Sequence, residues 1–236
     1  MFRIRLAVKK EGSLCFLSHL DFARAVRYVI IRAKLPICYS EGFNPHMKLS
    51  FASALGVGVA ADCEYMEMEL AERVPVDYVI ERMNAVSPHG FAVMKGSYVE
   101  AKAAKLMAMA NYAVYILMGP AATASVDTDS VTAALDRFNQ AQTITYEKQS
   151  PKGKHKIRYI NVKDHVIEPV TGDVQDTNVY VTVGIYQTAE GAIKPSQVWE
   201  VLADQFGLPV HADMMLARRK AVYMRRNGIN HSLFEE

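Results

Sequence analysis

The sequence predicts an α+β protein of two ferredoxin-like (split βαβ) halves packed together, with one larger α+β domain as the alternative. Three observations carry this expectation. Apolar residues switch between a period of two and a period near 3.6 along the chain. The switches fall in a similar order before and after an Ala-, Lys- and Met-rich connector at 101–110. The 236 residues, 50% hydrophobic and 22% charged, are enough for two domains of about 100 residues. The boundary is placed after residue 105, giving halves 1–105 and 106–236.

In residues 2–8, Phe2, Ile4, Leu6 and Val8 alternate with Arg3, Arg5 and Ala7, the pattern of a half-buried strand. Residues 18–34 read as a helix. Phe22, Ala25, Val26, Val29 and Ala33 form its apolar face and Arg24, Arg27 and Lys34 the opposite one. Ser18 is placed to cap it, with Asp21 in the first turn. A strand is expected within 36–52 and another over 64–70, where Met66, Met68 and Leu70 alternate with Tyr65, Glu67 and Glu69. A helix over 76–86 and a strand over 91–99 complete the first half. The second half gives a strand over 112–118, a helix over 130–140, a hairpin of 143–148 with 156–162, a strand over 179–186, a helix over 195–206 and a strand over 214–223. In a ferredoxin-like first half the first and third strands are neighbours. Arg3 and Arg5 then oppose Glu67 and Glu69 on the outer surface.

A net charge of +2 gives no whole-protein field for a polyanion. Charge is sorted into blocks, however, and three of them are basic. The first is the N-terminal segment through the first helix, with Arg24, Arg27 and Lys34. The second is the hairpin tip, Lys152, Lys154, Lys156 and Arg158. The third is Arg218, Arg219 and Lys220, with Arg225 and Arg226 beyond. In a strand, Arg219 and Arg225 point to one face and Arg218, Lys220 and Arg226 to the other, so only part of that block serves one ligand. Leu20 and Ile31 share the basic side of the first helix, where they mark a contact surface or, as we expect, pack beneath the second half.

The chain's most distinctive stretch is Tyr39-Ser-Glu-Gly-Phe-Asn-Pro-His-Met-Lys-Leu-Ser-Phe51, preceded by Phe16-Leu-Ser-His-Leu-Asp21. The two bracket the first helix. Gly42 permits a turn and Pro45 keeps Asn44 out of the helical region, so the loop presents Glu41, Asn44, His46 and Lys48 in a defined shape. If residues 36–40 run back along the helix as the second strand, these groups join Ser18, His19 and Asp21 in one polar pocket at the helix N-terminus, suited to an anion. No nucleophile elbow, P-loop or dinucleotide fingerprint is present, so catalysis is not the expected role. His19 and His46 lie on separate loops with no second histidine at i+4, which argues against a metal site.

Together with Leu55-Gly-Val-Gly-Val59 and Glu64-Tyr-Met-Glu-Met-Glu-Leu70, these motifs resemble the radical-SAM-linked family of bacterial proteins. The resemblance is dense over about residues 2–100, with Met47 standing where the family pattern has proline. Such proteins are domains of unknown function, fused to a radical-SAM enzyme or encoded beside one, so the resemblance implies that enzyme as a partner. Cys15, Cys38 and Cys63 do not have the spacing that holds an iron–sulfur cluster, and no cofactor is expected in this chain. An odd cysteine count and the lack of an apolar run of about 18 residues point to the cytoplasm.

Three functions are therefore weighed. The first is an accessory module binding transfer or ribosomal RNA for a radical-SAM modifying enzyme. The second is a protein-interaction subunit of that enzyme without nucleic-acid contact, and the third a stand-alone hydrolase or nuclease using His19 and His46.

Overall fold

In the computed structural model, which describes residues 1–100, 102–149, 157–167, 169–188 and 191–235, the N-terminal alternation becomes strand β1, Phe2–Lys10. The chain is α+β, with many strands and few helices. It forms two units, residues 1–111 with 219–236, and residues 112–218. The first unit is thus built from both ends of the chain, and the second from one contiguous stretch.

In the first unit β1 pairs antiparallel with β3 (Val59–Leu70) on one side and β4 (Phe91–Val99) on the other. Strand β2 (Leu49–Phe51) takes Met66–Met68 of β3. Strand β10 (Leu216–Arg226) is also bonded to β3, and β11 (Ile229–His231) to β10. Helix α1 (His19–Arg32) starts where Ser18 Oγ accepts the Asp21 N–H at 3.2 Å. Its Phe22, Val26, Val29 and Ile30 are buried at helical spacing in one core with Leu6, Met66 and Met68. Fully burying each such side chain contributes about 1.5–3 kcal/mol. Helix α2 (Val76–Asn84) adds Val79 and Met83 to that core. Its last residue binds β4 through both side-chain atoms, Asn84 Nδ2 donating to the Val93 carbonyl (2.9 Å) and Oδ1 accepting the Val93 N–H (2.8 Å). Gly90, at φ 91, is required where it stands, because a Cβ there would lie 2.3 Å from the Glu11 carbonyl oxygen.

The sheet face away from these helices departs from expectation. The register sets Arg5 opposite Glu67 and Arg3 opposite Glu69, as the strand order requires. Yet Arg5 is wholly buried. Its Nε and Nη2 donate to Glu67 Oε1 at 2.9 and 2.7 Å, Nη1 donates to the Leu233 carbonyl, and Nη2 also reaches Met109 Sδ at 3.4 Å. A short helix α3 (Leu106–Met109) and the C-terminal segment thus cover what was expected to be outer surface. An ion pair so placed is not worth the few tenths of a kcal/mol of an exposed pair. Removing one partner strands a buried charge at about 3–5 kcal/mol.

In the second unit β5 (Tyr112–Pro120), β9 (Asn178–Tyr186) and β8 (Thr171–Gln175) form an antiparallel sheet. Helix α4 (Thr128–Gln140), capped by Asp127, and helix α5 (Pro195–Phe206) contribute Leu135, Phe138, Val198 and Trp199 to the buried interior. The fully buried Trp199 donates Nε1–H to the His211 carbonyl at 3.2 Å. Strands β6 (Thr145–Gln149) and β7 (Ile157–Asn161) pair apart as the expected hairpin. No helix among the described residues is long and apolar enough to cross a membrane.

Candidate functional site

The chain between the two polar motifs takes a different path from the expected one. Residues 36–40 do not form the second strand. The Cys38 N–H bonds the Glu69 carbonyl, the chain loops outward, and Lys48 returns to bond Cys38 before β2 continues along β3. The excursion is a small hairpin, closed by pairing of Tyr39 with Met47 and by Ser40 Oγ accepting the His46 N–H at 2.9 Å. Glu41, Asn44 and His46 lie exposed in it. His19 meets the ring of Phe51 edge-on at 5.3 Å. Phe51 lies three residues beyond Lys48, about 10 Å along an extended chain, and His46 is farther out still. No hydrogen bond joins the two histidines among the described residues.

Ser18, Asp21 and Lys48 each bond within their own neighbourhood. Ser18 Oγ donates to Asp21 Oδ2 at 2.7 Å, and Asp21 pairs with Arg24 at 3.3 Å. Lys48 pairs with Glu69 at 2.9 Å, and that bond holds its amine above the usual lysine value.

Beneath the α1 N-terminus the fold builds a charged cluster from Lys10, Glu64 and Arg219, residues far apart in sequence. Arg219, expected to serve a nucleic acid, is buried. Its Nη1 donates to Glu64 Oε2 and Ser53 Oγ, both at 2.6 Å. Glu64 Oε1 accepts the Tyr65 N–H at 3.0 Å. Lys10, also buried, turns its ammonium to the Leu17 and Cys15 carbonyls at 3.3 and 3.5 Å and lies 5.1 Å from the centre of the Phe22 ring. Burial pushes the Lys10 amine down and the Glu64 carboxyl up, the Arg219 guanidinium opposing the latter shift. His19 is pushed down by burial first and by Lys10 second. The signal for this cluster was present in two charged residues at core-facing strand positions: Glu64 shares the parity of Met66 and Met68, and Arg219 that of Ala217. Every polar atom of Glu64 is engaged inside the fold, so the cluster anchors the 12–18 segment and the Ser53 loop under α1. It exposes no reacting group.

Lys220 is likewise paired, with Asp62. Arg218 is half-buried. Lys152, Lys154, Lys156 and the Arg158 side chain lie outside what the structure describes. The outward side of α1 is an open basic surface among the described residues. Arg24, Arg27 and, just past its end, Lys34 are exposed there, with Leu20 at 76%, Tyr28 at 55% and Ile31 at 53%. The apolar pair was expected to be covered and is not. Arg27 and Lys34 have no acidic partner among the described residues.

A model of a family described as "Uncharacterized protein conserved in bacteria (DUF2344)" matches residues 3–195. No curated protein matches the chain. Among solved structures, a chain in a Cbf5–Nop10–Gar1 complex is similar at TM-score 0.51 and 12% identity, over 92% of this chain and 49% of that one. A chain in an H/ACA RNP bound to a substrate RNA containing 2′-deoxyuridine is at TM-score 0.48 and 12% identity, over 94% and 47%. This chain therefore spans about half the length of the solved chains it resembles, and at such identity the likeness is one of fold.

Proposed function

The chain belongs to that bacterial family, described only as uncharacterized, and from this premise we propose that it is an accessory RNA-binding module using the outward side of α1. The observation that carries the reading is the joint exposure of Arg24, Arg27 and Lys34 with Tyr28, on α1 and just past its end. Cations at this spacing fit successive phosphates, and an exposed ring offers a stacking surface for an unpaired base. The radical-SAM enzyme implied by the sequence resemblance is the proposed partner, in the cytoplasm. The strand order β4–β1–β3, with β2 on the far edge of β3 and both helices adding to one core, supports reading the first unit as ferredoxin-like.

Filter binding with total cellular RNA tests the reading. Retention at low salt, falling steeply as salt rises, is expected; absence of retention at low salt removes it. One feature favours a second reading. Leu20 and Ile31, with Phe16 also exposed, give this surface more apolar area than phosphate contact requires. A complex with the radical-SAM enzyme that survives moderate salt, without RNA retention, would establish a protein-docking subunit.

A further inference from the structure

A cleft of about 310 Å³ opens in the first unit where β2 and β3 approach α3. It gathers three stretches that the sequence made conspicuous and that RNA binding on α1 leaves unused: the basic first strand, Lys48–Ser50 of the polar loop, and Glu67–Glu69. Arg3, Lys48 and Lys105 supply its cations, and Leu106 and Met107 of α3 its apolar wall.

The charges there do not all cancel. Lys48 is matched by Glu69, and Glu67 by Arg5. Two cations remain. Arg3 Nη2 donates to the carbonyl oxygens of Glu100 (2.9 Å) and Ala103 (2.8 Å), which are neutral acceptors, and its buried Nε has no partner. Lys105 is exposed and has no acidic partner among the described residues. A carboxylate would leave one of these cations unanswered, whereas a phosphate monoester carries about −1.5 to −2 at neutral pH. Beside them Met107 is 68% exposed, and thioethers make favourable contacts with aromatic rings.

We propose that this cleft binds a phosphate monoester carried on an aromatic body, with Arg3 and Lys105 answering the phosphate and the exposed Met107 meeting the ring. A free nucleoside monophosphate and the 5′ end of an RNA present the same chemistry. The site is separate from the α1 surface and does not depend on it.

Isothermal titration of the full chain with adenosine 5′-monophosphate, adenosine, and a trinucleotide with and without a 5′-phosphate tests the proposal. Binding of the monophosphate or the phosphorylated trinucleotide is expected, with the unphosphorylated counterpart at least about tenfold weaker, the loss that accompanies one charge-assisted bond. Preference for the trinucleotide assigns the group to an RNA end. Lys105→Ala, an exposed position whose folding is checked by its melting curve, should weaken the phosphorylated ligand about tenfold, while Arg27→Glu leaves it unchanged. No heat from either phosphorylated ligand at millimolar concentration, equal binding without the phosphate, or an unaffected Lys105→Ala variant overturns the proposal.

Discussion

Glu64→Gln keeps the side-chain volume and removes the single negative charge from a buried set of three. Arg219 and Glu64 are 2.6 Å apart, with side-chain exposures of 4% and 1%. The Lys10 amine beside them is already pushed down by burial, with the Glu64 carboxylate working against that shift and Arg219 adding to it. Without the carboxylate, two buried cations face each other. Breaking a buried pair costs about 3–5 kcal/mol. Arg219 keeps Ser53 and Lys10 keeps two carbonyls, so the lower end, about 3 kcal/mol, is expected. At roughly 2–4 °C per kcal/mol for a chain of this size, the melting temperature should fall by about 6–12 °C. Urea unfolding followed by circular dichroism measures the loss. Glu64→Met combined with Arg219→Met should recover to within about 1 kcal/mol of the native protein, because apolar residues of similar volume replace a buried pair at little cost. A loss below about 1 kcal/mol for Glu64→Gln would show that the native carboxyl is already neutral. A double variant as unstable as the sum of its singles would show that the pair is not coupled. Either result refutes the reasoning.

Arg27→Glu should reduce the salt slope of RNA retention by about one phosphate or more without changing the melting curve; an unchanged slope moves RNA off α1. Gly90→Ala forces a side chain into a left-handed turn against the Glu11 carbonyl and should cost more than about 1 kcal/mol in thermal melts. His19 is held below its ordinary value of 6.5, so the unfolded chain binds the proton more readily than the folded one, and the stability tied to this group is present above pH 6.5 and lost as pH falls through the folded value. His19→Gln should therefore flatten the drop in melting temperature on the acid side of 6.5, and an identical drop in both proteins would contradict that sign.

Where local pattern dominates, the sequence was legible. The period-two run at 91–99 and the Pro-initiated helix at 195–206 have the expected ends. Strand β8 was not seen because Thr171–Gln175 has no apolar alternation. It is recruited by pairing with β9, and a Cβ at Gly172 would crowd Leu135 of α4. Arg5 was paired with the right acid but set in water, since its cover, Met109 and Leu233, comes from distant sequence that no local pattern ties to β1. The polar loop misled for a similar reason. Its pairing along β3 begins at residues 36–38 but breaks off there and resumes only at Lys48, so residues 41–46 lie in a hairpin outside the ladder.

The return of residues 219–236 to the first unit sets the order in which the molecule can be made. On the ribosome, β1, β3 and α1 emerge early, but Arg5 and Glu64 wait for Leu233 and Arg219 until the whole 112–218 segment has been translated. At about 5–20 residues per second that wait is roughly 5–20 s, far longer than hydrophobic collapse, which takes about 100 μs at most. During it the first unit holds unmatched charges facing its core, and the second unit, whose residues are contiguous, has time to fold. A nascent chain stalled before Arg219 would thus expose an incomplete first unit beside a finished second one, and would be a better chaperone client than the released protein.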